Sequence, residues 1–306
     1  MKHVRHSAAH GVILFCALFF LPAVTDARDF SQKLPLNIKS RYFDVRYQRA
    51  TWDASAFARF ADSFVDLINR DFIKTDFDYP ITVLVLPDRA SFQRFLRREF
   101  AESNPPNFGI YLPRFKLFAT YEDSGWGTFA HEIMHPLVEN NLKARPPWAV
   151  EAIPSFFEKF FGYQEGNSMV VVWGFHNPWR LEALGSKLTT VDLDRLVTGR
   201  EPRTGYDTSE LRLISTFLWQ HGKFKRMLQL ISEQNFGGYS NYLEAAMELP
   251  MKSILPLWKT YLTEIAVHRA AALRVPASQI FADRETYLRF LHANGLQVPP
   301  GNLASQ

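Results

Sequence analysis

Cysteine is almost missing from this chain of 306 residues: only Cys16 is present, which excludes a disulfide framework. Its surroundings, "ILFCALF", lack the small residues that a lipoprotein cleavage site carries just before its cysteine, so lipidation is not expected. The apolar run around it, Val12 to Leu21, falls well short of the roughly 20 residues a bilayer-spanning helix requires, which argues against a permanent anchor. No internal repeat and no low-complexity segment is visible. Strong charge of one sign is lacking as well, the formal net charge being +4. The short basic clusters Arg97-Arg98 and Lys223 to Arg226 come without an aromatic-and-basic recognition pattern, so no nucleic-acid partner is expected.

At the N-terminus, Lys2, His3, Arg5 and His6 precede the apolar run, and "PAVTDA" follows with Thr25 and Ala27 where a leader peptidase reads small residues. Residues 1–27 therefore read as a signal peptide, implying a secreted or periplasmic protein with no stable membrane anchor after cleavage. Such a mature chain carries no thiol. With 47% apolar residues it can bury one large core or two small ones.

The periodicities predict an α+β protein. "RYFDVRY" alternates like a strand; Phe57, Phe60, Ala61, Phe64, Leu67 and Ile68 recur at helical spacing; "ITVLVL" reads as a buried strand; Phe92, Phe95, Leu96 and Phe100 mark a second helix. "GIYLPRFKLFATYED" reads as strand or hairpin leading into the helical stretch "TFAHEIMHPLVENN". From Pro146 onward the pattern is nearly all helical. The expected organisation is an α+β subdomain over 28–165 and an α-helical one over 166–306.

Chemistry concentrates in "HEIMH". Residues four apart on a helix share a face, so His131 and His135 could offer two imidazole nitrogens to one ion, with Glu132 beside any water on it. A catalytic zinc site needs a third protein ligand. Glu151, in "PPWAVEAIPSFFE" after a proline-marked turn, is the candidate, and Glu158 or Ser155 could hold the second ring nitrogen of a ligating histidine. Phe156/Phe160 and Phe157/Phe161 are read as core.

HExxH followed on the next helix by a tryptophan-marked glutamate resembles the gluzincin zinc metallopeptidases, and more narrowly the bacterial peptidase-MA-like proteins, whose motif runs roughly "HElxH...P.WL.EGlAeyfE". The resemblance spreads weakly over about 220 residues, including "ITVLVLPD" and "YLEAAMELPMKSILPLWKTYL". It implies a zincin-like front half, zinc held by His131, His135 and Glu151, and Glu132 as catalytic base that takes a proton from water as it attacks a peptide bond. A tyrosine or histidine donor to the developing oxyanion is expected at Tyr206 or, alternatively, His221. In this kind of fold the strand before the HExxH helix lies at a sheet edge, here Phe115 to Tyr121, where an extended peptide substrate can add through its main chain.

Departures from the pattern are Ala152 for the usual glycine and Pro154 for a small residue. Pro136, directly after His135, is expected to kink or end its helix. The alternatives are a catalytically inactive relative that acts as a peptide-binding or structural module, a zinc hydrolase of another substrate class, and a fortuitous motif on a structural helix.

Overall fold

A computed structural model describes residues 33–76, 80–143, 146–166, 168–198, 205–233, 236, 238, 240–299 and 302, with side chains of the fifth stretch described from Thr208. The expected signal peptide lies outside them. Among the described residues no helix is long and apolar enough to cross a membrane.

The chain is a mixture of helices and small mixed sheets, as the α+β expectation requires. Strands β1 (Leu36–Lys39) and β2 (Phe43–Tyr47) are followed by α1 (Ala54–Asp71), β3 (Ile81–Leu86), α2 (Arg89–Phe100), β4 (Gly109–Leu112) and β5 (Leu117–Tyr121). These strands form one sheet in the order β1-β2-β3-β5-β4. Helix α1 makes the crossover that the parallel β2–β3 pair needs. Its start is fixed by Asp53, whose carboxylate accepts from the Ala56 N–H, and Asp88 does the same for α2 through Ser91. Phe57, Phe60, Phe64 and Ile68 of α1 are buried on one face of the sheet, while Phe92, Phe95 and Leu96 of α2 pack on the other. Each such side chain contributes about 1.5–3 kcal/mol when fully buried.

The edge-strand expectation is corrected. Strand β5 pairs with β3 on one side and β4 on the other, and all five of its residues are buried. The hairpin folds Gly109–Leu112 back over β5 through the turn Pro113–Phe115, so the strand presenting a free edge is β4.

Then come α3 (Trp126–Asn141), α4 (Pro147–Phe157), β6 (Phe160–Glu165), β7 (Ser168–Trp173), α5 (Pro178–Leu184), α6 (Leu193–Thr198), α7 (Gly205–Gln220), α8 (Phe224–Glu233), α9 (Asn241–Met247), α10 (Met251–Val267), α11 (Arg269–Ala272), β8 (Gln279–Phe281) and α12 (Arg284–Ala293). The nearly all-helical expectation for this half is also corrected. Strands β7-β6-β8 form a second sheet, and Phe160 and Phe161, read as helical core, sit in β6. Aromatic residues every fourth place are equally compatible with the end of a helix followed directly by a buried strand. The proposed boundary at 165/166 falls at the turn of the β6–β7 hairpin, and one core cluster runs from Phe43 to Ala272.

Candidate metal centre

Helix α3 starts at Gly125, whose φ of 86° is open to glycine at little cost, and carries His131, Glu132 and His135. Pro136 does not end it: the helix continues to Asn141. Likewise α4 passes through Pro154 to Phe157. In each helix one carbonyl loses its usual N–H partner. In α4 that carbonyl belongs to Val150, and hydroxyls bond the two carbonyls that follow it. The Ser155 hydroxyl donates to the Glu151 carbonyl at 2.6 Å, and the Ser215 hydroxyl to that of Ala152 at 2.8 Å.

The two helices bring three sequence-predicted ligands together. His131 Nε2 lies 3.3 Å from His135 Nε2 and 3.6 Å from Glu151 Oε2, and His135 Nε2 lies 3.9 Å from Glu151 Oε1. Together these residues could hold a metal ion. A tetrahedral ion with ligands at about 2.1 Å spaces its ligand atoms about 3.4 Å apart, so the donor triangle is close to the size such an ion requires. The donor set, two imidazoles and a carboxylate, is one that zinc accepts.

On its far side, His131 Nδ1 lies 3.2 Å from Glu158 Oε2. The N–H is poorly directed for a hydrogen bond, so the contact is mainly electrostatic. Glu158, rather than Ser155, therefore occupies the place behind the ligand. It is buried, and Arg180 on α5 grips both its oxygens, through Nε to Oε1 and through Nη2 to Oε2 at 2.6 Å. Asn177 also donates to Oε1. Arg212 of α7 stands 3.9 Å away and donates to the Phe156 and Phe175 carbonyls at 3.1 and 2.8 Å. Sequence reasoning passed over Arg180, Asn177 and Arg212, because nothing in "NPWR" or "ELRL" says that these polar side chains are inside.

Glu132 is buried and lines the same cleft as the triad. Burial pushes its carboxyl up to about 7, against the pull of His131 and an N–H from Tyr111. A Cβ on Gly109 would fall 2.9 Å from Glu132 Cγ, and one on Gly127 would collide with the Glu158 carbonyl oxygen. Both glycines thus allow close approach: of β4 to the glutamate, and of α3 to the end of α4. The histidines diverge in basicity. Burial disfavours the charged ring of His131, but the nearby carboxylates of Glu151 and Glu158 and the field of Glu132 outweigh it and raise the group to about 10. Burial lowers His135 to about 4, with the charge on His131 acting in the same direction. Glu151 and Glu158 also feel burial, yet neighbouring histidines, and for Glu158 the arginines, hold both below the usual carboxylate range. The pocket thus favours positive charge at its centre.

The triad faces an open cleft of about 910 Å³, lined on one side by β4 and its preceding loop and on the other by α4, α5 and residues 277–278. Tyr111 lies nearly parallel to the His135 ring, 6.3 Å away. His221 is exposed at the C-terminal end of α7, with Nδ1 2.8 Å from the Phe217 carbonyl, and it does not line the cleft. The Tyr206 side chain lies outside the described residues.

No family model matches the chain, and no curated protein does so either.

Proposed function

We propose that this chain is a zinc-dependent metallopeptidase of gluzincin type, with a zincin-like front half, secreted or delivered to a periplasm, that hydrolyses peptide bonds in an extended substrate. The observation that carries this reading is the convergence of His131, His135 and Glu151 to the spacing of a tetrahedral site, beside a buried glutamate whose proton affinity is raised to about 7. When bound, zinc supplies Lewis acidity and a water acidified toward about pH 7. The protein's own groups do the rest. His131, His135 and Glu151 hold and orient the ion, and Glu158 fixes the ring of His131. Glu132 accepts a proton from the attacking water and returns it to the leaving amine. Strand β4 is the last strand of its sheet and lines the cleft, where an extended peptide can lie alongside the sheet.

Elemental analysis of purified protein tests the metal: about one zinc per chain is expected, lost on changing His131, His135 or Glu151 to Ala. Glu132→Gln should keep the zinc and abolish cleavage of a peptide library. Equal behaviour of wild type and Glu132→Gln against every peptide would leave the inactive peptide-binding module as the better reading.

A further inference from the structure

Among the described residues, only two phenylalanine or tryptophan side chains are left exposed, Phe108 at 42% and Trp179 at 44%. Both line the cleft that holds the metal triad. They arrive from separate parts of the chain, Phe108 from the segment entering β4 and Trp179 from the first turn of α5, and their rings meet across the cleft with centroids 6.2 Å apart at 41°. Neither is a loose tip. The Phe108 carbonyl accepts a 2.8 Å hydrogen bond from Thr120 Oγ1 of β5. The Trp179 ring lies against the Arg180 guanidinium, 4.2 Å away, and that guanidinium is itself held by Glu158.

We propose that Phe108 and Trp179 form a substrate subsite that takes one bulky apolar side chain, aromatic or branched aliphatic, of a peptide bound in this cleft. The proposal rests on the peptidase reading and adds the substrate class. Phe108 immediately precedes Gly109, the first residue of β4, and both rings line the metal cleft, so a peptide lying in that cleft brings its side chains onto the apolar surface that the two touching rings share. Removing an apolar side chain from water against two rings is favourable, offset or tilted ring contacts favour phenylalanine further, and a surface already fixed by the fold loses little freedom on binding. A charged or small side chain gains none of this.

The test uses zinc-loaded Glu132→Gln protein and two peptides of equal length, identical except for a central phenylalanine or alanine, with affinities measured by calorimetry. The phenylalanine peptide should bind roughly tenfold tighter or better, the discrimination an apolar pocket reaches. Adding Phe108→Ala and Trp179→Ala should erase that difference while zinc content and melting temperature stay as before. Equal binding of both peptides, a preference that survives the double substitution, or no binding of either overturns the subsite. Turnover by wild-type protein separates this proposal from the one beneath it. A phenylalanine preference without cleavage keeps the subsite and sinks the hydrolase, whereas cleavage indifferent to the two aromatics does the reverse.

Discussion

The two sides of His131 are built on opposite plans. Behind the ring, Glu158 is enclosed by Arg180, Asn177 and Arg212, with its charge answered from several directions. In front, the ring faces an open cleft bordered by β4 and by exposed Phe108 and Trp179. Buried ion pairs contribute little net stability, since desolvation offsets much of the attraction. The cluster behind His131 is better explained by what it holds still: a ligand ring whose angle decides where an ion can sit. Rigidity is thus concentrated on the side of the ring turned away from the cleft.

The hardest way to break this contrast is Arg180→Met. It strips Glu158 of its two-pronged partner and leaves a carboxylate buried, which should cost about 3–5 kcal/mol in a denaturant melt and weaken zinc binding about 10–100-fold; an unchanged zinc affinity would mean that the rear cluster does not orient His131. Glu132→Gln comes next. Because burial raises the Glu132 pKa from 4.5 to about 7, the folded protein binds this proton more tightly than the unfolded chain does, so wild type loses stability as pH rises through that window. In chelator at pH 8 the variant should be more stable by up to about 3 kcal/mol, and the advantage should vanish below pH 4. Third, the proton that His131 keeps up to about pH 10 must leave when an ion binds. Calorimetry at pH 7.5 in buffers of different ionisation enthalpy should show at least one proton released per zinc, with affinity falling as the solution is acidified; no release would contradict the basicity assigned to this ring. Ser155→Ala should do least. It removes hydroxyl bonds to backbone carbonyls worth about 1 kcal/mol and should leave zinc affinity where it was, which distinguishes Ser155 from Glu158.

The front half was largely legible. Strands, helices and the hairpin follow from alternation, helical spacing and turn residues, all local signals. The donor triad was legible for the same reason: i,i+4 spacing fixes one pair, and the proline-marked turn returns the third residue. What escaped depends on pairing between distant segments. That β4 rather than β5 carries the free edge is decided by a fold-back of four residues, and β6 and β8 pair across more than a hundred residues. Arg180 and Arg212 read as surface until Glu158 is seen beside them. The two prolines suggested damaged helices, but each helix runs on past its proline, because one missing N–H removes a single bond from a ladder whose other rungs stay in place.

The last strand of a sheet is also an invitation to the wrong guest. The outer side of β4 could align with the same segment of a second molecule and seed self-association. Its brevity counters this, and so do Pro105 and Pro106 before it and Pro113 after it, which cannot donate to a lengthening ladder. Replacing Pro106 and Pro113 with residues that can donate would be expected to shift the purified protein toward aggregates in light scattering.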